Sequence, residues 1–235
     1  MSKTALVTGG AGSIGPAVAA GLIEDGFETY VLDVSPKVFE VAERLGAKPL
    51  QASVTDEAAM QAAVSGIESL DALVTTVGGW PIKLLDDLTL EDWKWQIDLN
   101  LTSVFITVKA TLQALRAGKG AIVNFSSSCA LQGYADMIPY GAAKAGVIGL
   151  TRQLAVALGP DEVNANAIIP GGMMTESNKV DGGWPDWMDI MRDARAISRY
   201  GRADDLVGAA RFFASPAAKF ITGQSLVVDG GYLFQ

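Results

Sequence analysis

The chain has 235 residues, with 26 Asp and Glu against 18 Lys and Arg, a formal net charge of −8 and no histidine. That balance excludes nucleic acid and an anionic membrane surface as partners, because polyanions are repelled and no basic cluster is present to hold them. With no imidazole and a single cysteine, Cys129, the sequence also excludes Cys/His zinc sites, Ser-His-Asp triads and Cys-His pairs, and no metal site is expected.

The start, MSKTALVTGGAG, lacks the apolar core of a signal peptide, and no apolar run reaches membrane-spanning length. An unpaired cysteine suits a reducing compartment, so a cytoplasmic location is expected. One domain over residues 1–235 is expected as well, since α/β folds often exceed roughly 200 residues undivided.

Thr4–Thr8 reads as a first strand that runs into the turn TGGAGSIG, Thr8 to Gly15, and then a helix over Ile14–Asp25. Glycines in such a turn bring bare backbone N–H groups against a pyrophosphate at a helix N-terminus. A second strand, Thr29–Val34, carries Asp33, 24 residues after Gly9. A carboxylate at that place hydrogen-bonds a ribose 2′-hydroxyl and repels a 2′-phosphate, and no arginine follows it, which favours NAD over NADP. A helix over Pro36–Leu45, a strand Lys48–Ser53, a helix Asp56–Ser65 with Thr55 as N-cap, and a strand Ala72–Thr76 continue the alternation. The next helical pattern is one long run, Leu90–Ala117, started by Thr89 with Asp92 at the capping-box spacing and stopped at Gly118. Trp93 and Trp95 sit on it two positions apart and read as packing residues.

The strand Ala121–Ser126 ends in three serines, and Ser127 lies thirteen residues before Tyr140 on the loop that leaves it. Ligands of open α/β sheets bind at such carboxyl ends, so Ser127 can hold a substrate oxygen, with Ser126 and Ser128 as competitors. The helix Pro139–Leu158 contains YGAAK, which places Tyr140 and Lys144 on one face, about 6 Å apart at Cβ. A phenol with an ordinary pKa near 10 is a poor base at neutral pH. A neighbouring ammonium favours the phenolate, and so does an oxidised nicotinamide carrying positive charge, so Lys144 and such a cofactor can tune Tyr140 without histidine. Strands Asn164–Ile169 and Ser225–Val228 and a helix Asp204–Ala214 complete a doubly wound α/β pattern. Residues 171–200 are too long for an ordinary connection and read as an irregular loop over a ligand.

Over essentially the whole chain, in order and spacing, these motifs resemble a short-chain dehydrogenase/reductase of the compact NAD-dependent type. Its glycine motif corresponds to Thr8–Gly15, its acidic determinant to Asp33 and its asparagine to Asn100 in DLNLTSVF. Its serine corresponds to Ser127 and its Y-x-x-x-K to Tyr140 and Lys144, while NAIIPGGMMT and FITGQSLVVDGG match its later signatures. The resemblance implies a single Rossmann-like domain with a seven-stranded parallel sheet flanked by helices on both faces. It implies hydride transfer between the nicotinamide and a substrate carbon, with Tyr140 exchanging the proton and Ser127 orienting the substrate oxygen. Lys144 binds the ribose and lowers the tyrosine pKa, and Asn100 holds a relay water. Cofactor contacts are implied from Gly9, Ser13, Ile14 and Gly15, from Asp33 and Val34, and from Ser53, Val54, Val77 and Gly78, besides Tyr140 and Lys144. Pro170, Gly171, Met173 and Thr175 complete them. A homodimer or homotetramer is implied too.

Three departures bear on cofactor contacts: Ser13 replaces a glycine, Thr75-Thr76-Val77-Gly78 replaces N-N-A-G, and Ser53-Val54 replaces Asp-Val. The leading expectation is reversible oxidation of a secondary alcohol with NAD; a non-catalytic NAD-binding regulatory or scaffold protein is the alternative. Trp80, Cys129, Trp184, Trp187 and Met188 are the candidate substrate pocket, apolar and aromatic, or else the tryptophans pack on a neighbouring subunit. Asp181, Asp186 and Asp189 would favour a neutral or amine-bearing substrate. Phe105 and Val108 on one helix, and Val147, Leu150 and Leu154 on the other, read as second apolar faces for self-association.

Overall fold

The computed structural model describes residues 3–179 and 184–234. Strands β1 (Lys3–Thr8), β2 (Phe27–Asp33), β3 (Lys48–Gln51), β4 (Ala72–Thr75), β5 (Ala121–Phe125), β6 (Asn164–Pro170) and β7 (Ser225–Val228) form one sheet. Their order is β3-β2-β1-β4-β5-β6-β7, and every pairing is parallel. This is the doubly wound, Rossmann-like arrangement that the alternating pattern implies. The order reverses between β1 and β4, and there the crossovers depart in opposite directions and leave a crevice above the strand ends.

Helices α1 (Gly15–Glu24), α2 (Lys37–Leu45), α3 (Glu57–Val64), α4 (Leu90–Ile97), α5 (Ser103–Gly118), α6 (Ile138–Leu158), α7 (Trp187–Ala194) and α8 (Asp204–Ala214) flank the sheet. Strand residues alternate between two apolar layers. Val7, Val31, Val74 and Val123 pack with Val18 and Leu22 of α1 and Leu206 and Phe213 of α8. Leu6, Leu32, Leu73 and Ile122 pack with Met60 of α3 and Leu115 of α5 on the other face. Every residue of β4, β5 and β6 is buried, so these strands need no polar alternation. Each large side chain so buried contributes about 1.5–3 kcal/mol. The edge strand β3, KPLQ, is mostly exposed and tolerates Pro49, which has no amide to give a ladder.

The long helical run at Leu90 is not continuous. One π turn, Asp98–Thr102, separates α4 from α5 and carries Asn100. The capping box of Thr89 and Asp92 forms as expected, but α3 is capped by Asp56, whose side chain accepts from the Ala59 amide, and not by Thr55. Residues 171–200 are not wholly irregular, because α7 lies within them. Val108 and Val147 are buried inside the chain and offer no face to a second copy, whereas Phe105 is half exposed. Trp93 and Trp95 are 37% and 50% exposed, so neither is a core residue. Among the described residues no helix is long and apolar enough to cross a membrane.

A buried polar chain fixes α6 to the sheet. The Thr75 hydroxyl donates to Asn124 Oδ1 at 2.8 Å, Asn124 Nδ2 donates to Thr151 Oγ1 at 2.9 Å, and that hydroxyl donates to the Val147 carbonyl at 2.7 Å. Removing the middle link strands buried groups on both sides, at about 1–3 kcal/mol each. Asn124→Ala should therefore destabilise the protein by about 2–4 kcal/mol, read from the urea midpoint; a loss under about 1 kcal/mol would show that water replaces the amide.

Candidate active site

The glycine turn closes on itself too tightly for side chains. Gly9 has a φ of +74°, and the Gly12 amide donates to the Gly9 carbonyl at 3.0 Å. A Cβ on Gly15 would lie 2.1 Å from that same carbonyl oxygen, so only glycine fits beneath the turn. α1 then begins at Gly15 with no side-chain cap and no acidic residue in its first turn. Its free N–H groups and positive dipole end suit a phosphate. Ser13, the departure from the glycine pattern, is exposed above the turn and takes no backbone space.

Asp33 at the end of β2 faces the same crevice. One carboxylate oxygen accepts from the Ala11 amide at 3.0 Å and the other from the Ser35 amide at 2.9 Å. These bonds hold the glycine turn to β2 and leave the carboxylate facing the cavity with no cationic partner among the described residues. Thr76 replaces an asparagine, yet its hydroxyl donates to the Thr8 carbonyl at 2.7 Å and ties β4 to β1 beside Gly9. Ser53 and Thr55 share a hydroxyl contact of 2.9 Å that shapes the turn after β3. The turn, the bare helix end and the free cavity-facing side of Asp33 therefore fit a dinucleotide.

One cavity of about 610 Å³ runs from the glycine turn to β5 and α6. The cofactor candidates Gly9, Ser13, Ile14, Asp33, Val34, Ser53, Val54, Val77 and Gly78 line it, as do Pro170, Gly171, Met173 and Thr175. Gly15 does not; it lies buried under the turn. Ser127, Tyr140 and Lys144 line it together. Ser126 is committed elsewhere, donating to the Lys144 carbonyl at 2.8 Å, and Ser128 is buried at the start of a short 3-10 turn. Ser126 and Ser128 also line the cavity, and the hydrogen bond to Tyr140 is what singles out Ser127 among the three. Asn100 is fully buried and lines nothing. Its Nδ2 donates to the carbonyls of Gly79 (2.9 Å) and Gln96 (3.0 Å), and its Oδ1 accepts from the Gly79 amide at 3.1 Å. The side chain thus pins the loop after β4, and the π turn places it there.

Lys144 is 3% exposed, and its Nζ donates to Phe125 O at 3.0 Å and Val77 O at 3.4 Å. It lies 5.8 Å from the centre of the Tyr140 ring. Burial pulls the ammonium down to about 8. Without the positive charge of an oxidised nicotinamide, which the expectation for Tyr140 also invokes, the protein's own residues do not lower the phenol. Burial of Tyr140 pushes it up, the Cys129 thiol adds to that, and the Ser127 hydrogen bond opposes it. The protonated phenol is the form held by these residues.

On the substrate side, Trp80 packs on Tyr140 with ring centres 5.0 Å apart and planes tilted by 47°. Cys129 and Trp187 also line the cavity. Trp184 and Met188 do not: Trp184 sits outside it with the Lys179 ammonium 5.2 Å over its ring, and Met188 is buried beneath α7. Successive helix residues point in different directions, so Trp187 and Met191, not Met188, reach Gly172, where a Cβ would meet them at 2.7 and 2.8 Å. Asp186 and Asp189 lie outside the cavity, Asp189 bonded to Arg192, and Asp181 is outside the described residues. Tyr134, Asp136, Met137, Ile190 and Tyr232 also line it, unforeseen in the sequence. Tyr232 arrives from the C-terminal end because Asp229 accepts from the amides of Gly231, Tyr232 and Leu233 and turns the chain inward. Among the described residues no His, Cys, Asp and Glu group is arranged for a metal ion.

A family model described as Enoyl-(Acyl carrier protein) reductase matches residues 9–233. The 3-oxoacyl-(acyl-carrier-protein) reductase FabG of Staphylococcus aureus is 36% identical over 243 residues, covering 98% of this chain and 98% of its own. A cis-4-hydroxycyclohexanecarboxylate dehydrogenase of Sinomonas cyclohexanicum is 37% identical, covering 98% and 96%. The crystal structure of a 3-oxoacyl-(acyl-carrier protein) reductase with bound NAD from Brucella melitensis superposes with a TM-score of 0.90 at 27% identity, covering 99% of this chain and 92% of that one.

Burial of Lys144 has a measurable sign. An unfolded lysine holds its proton to about 10.4, whereas Lys144 gives it up near 8. Between these values the unfolded chain binds more protons, so stability rises with pH there, and the whole cost of the buried ammonium is present below 8. Lys144→Met should therefore stabilise the protein at pH 7 by about 1–2 kcal/mol, after the loss of two carbonyl bonds, and the gain should shrink by pH 9.5. Urea midpoints at the two pH values test this; a variant less stable than the parent at pH 7 would overturn it.

Proposed function

The chain belongs to the short-chain dehydrogenase/reductase family, and from that premise we propose that it is an NAD-dependent oxidoreductase interconverting a secondary alcohol and its ketone, with an apolar or aromatic substrate body. The observation that carries this reading is Tyr140, its phenol beside Ser127 and its ring against Trp80, inside a cavity that also contains the glycine turn and Asp33. The relatives named above include a 3-oxoacyl reductase and a ring-alcohol dehydrogenase, whose named substrates share that reacting group.

When bound, NAD supplies the hydride acceptor and, in its oxidised form, a positive charge near the phenol. The chain's own residues do the rest. Ser127 orients the substrate oxygen, and Tyr140 holds or releases the proton on that oxygen. The buried protonated phenol is ready to donate to a carbonyl oxygen; alcohol oxidation draws on the phenolate, which the Ser127 hydrogen bond favours. Asn100 acts through Gly79, keeping the loop that carries Trp80 in place. Helix α7 closes the substrate side, with Trp187 and Met191 seated on Gly172. The scaffold alternative gains nothing from the structure, because Thr76 and Ser53 both find local partners. We read the protein as cytoplasmic, and the exposed Trp95 and Phe105 support a homodimer or homotetramer.

Tyr140→Phe should lower kcat by at least about 10²-fold, within the usual contribution of a positioned proton donor or acceptor, while NADH binding read by fluorescence persists. Near-normal turnover by that variant would overturn the reading. NAD should be preferred over NADP by at least about tenfold in kcat/KM, since Asp33 has no cation beside it, and Asp33→Ala should narrow the gap. Equal use of both cofactors by the parent would count against it. Light scattering at micromolar concentration should show an oligomer; a monomer would contradict self-association.

A further inference from the structure

The substrate side of the cavity contains a charge that this chemistry does not use. Among the described residues lining the cavity, the ionised side chains are Asp33, Asp136 and Lys144. Asp33 serves two backbone amides, and Lys144 serves two carbonyls. The Asp136 carboxylate has neither a hydrogen bond nor an ion pair to any described residue, although it lines the same space as Trp80 and Tyr140. The nearest candidate cation by chain contact, Lys83, is committed to Asp92 at 2.7 Å.

The placement of Asp136 is built, not incidental. Its backbone carbonyl accepts from the Lys83 amide at 3.1 Å, which joins the loop carrying Trp80 to the loop entering α6. Its charge reaches Cys129, whose thiol burial already pushes up and the carboxylate raises further. Tyr134, Trp187 and Tyr232 add aromatic faces to the same cavity. A carboxylate together with aromatic faces is the usual recognition chemistry of an organic ammonium, while an anionic substrate finds no free cation there.

We propose that this site selects a cationic substrate: a secondary alcohol, or its ketone, whose amine is met by Asp136 and the surrounding aromatic rings while the reacting oxygen lies at Tyr140 and Ser127. The inference rests on the alcohol–ketone reading above and adds the substrate's charge. It also separates this chain from the Sinomonas relative, whose named substrate carries a carboxylate.

Binding can be read without turnover, because Trp80 and Trp187 line the cavity and report on occupancy through fluorescence. Titrated at pH 7 and low ionic strength, benzylamine should bind at least tenfold more tightly than benzoate, with benzyl alcohol between them. In Asp136→Asn, an isosteric change, the benzylamine-to-benzyl alcohol affinity ratio should fall at least fivefold. Benzoate binding as tightly as benzylamine, an unchanged ratio in the Asn variant, or no saturable quenching by any probe would overturn the proposal. A second arm measures kcat/KM with NAD for 1-phenylethanol carrying a para aminomethyl or a para carboxylate group. Cation-selective binding with no oxidation of either alcohol would leave the charge preference standing and sink the reaction. Equal turnover of both alcohols, without selective binding, would sink the charge preference and leave the reaction.

Discussion

An ammonium with no carboxylate beside it among the described residues is the constraint around which the site is built. Lys144 is held by the carbonyls of Phe125 and Val77 and by proximity to the Tyr140 ring. Carbonyl oxygens from the ends of β4 and β5 therefore have to converge on one point, and the chain after β4 has to pass close to Nζ. Gly78 permits this: a Cβ there would lie 3.1 Å from Nζ and 3.0 Å from Asn100 Oδ1. Asn100 in turn grips the next residue, Gly79, from both its donor and its acceptor side. The glycines, the π turn and the lysine are thus one unit, and none is explained without the others.

That unit is costly, and the cost is informative. A buried charge without a partner lowers stability, and it persists only where the rest of the structure fixes it and function uses it. Here the fixing comes from the buried chain through Thr75, Asn124 and Thr151, and from Ser126, which ties α6 to the end of β5. The phenol and the ammonium are each displaced by burial toward the neutral form, in opposite senses. Any positive charge placed near the phenol acts beside two side chains that are themselves buried, where it is felt more strongly than in bulk water.

Most of the fold was legible because parallel strands buried on both faces leave unmistakable apolar runs; β7 was read at Ser225–Val228, as observed. What escaped was determined by contacts distant in sequence. The π turn hides within an unbroken helical pattern from Leu90, since one extra residue in a turn changes no propensity. Thr55 was read as the cap of α3 on residue type alone, but Asp56 has the extended backbone and the better reach. Of the site, Ser127, Tyr140 and Lys144 come together as their spacing implied, because strand end and helix face are local geometry. Met188 and Trp184 do not reach the cavity, because the direction of a helix face over a loop depends on Gly172. Asp136 was passed over for lack of a pattern: a single acid before a helix reads as an ordinary solvated charge.

The placement of acids also resolves a conflict in the composition. A chain of net charge −8 has to hold a pyrophosphate, itself an anion, and the glycine turn offers no lysine or arginine to do so. The attraction falls to backbone amides, and their strength depends on what stands near them. α3 and α4 both begin with acidic residues and side-chain caps that satisfy and neutralise their N-terminal ends. α1 alone of these three begins with neither, so its dipole end and amides stay available. The carboxylates that do face the cavity stand at separate places, Asp33 at the end of β2 and Asp136 ahead of α6, leaving the helix end between the sheet and the turn free of them. A uniformly acidic surface would repel every anion; acids withheld from one helix end leave its amides available to a single anionic group.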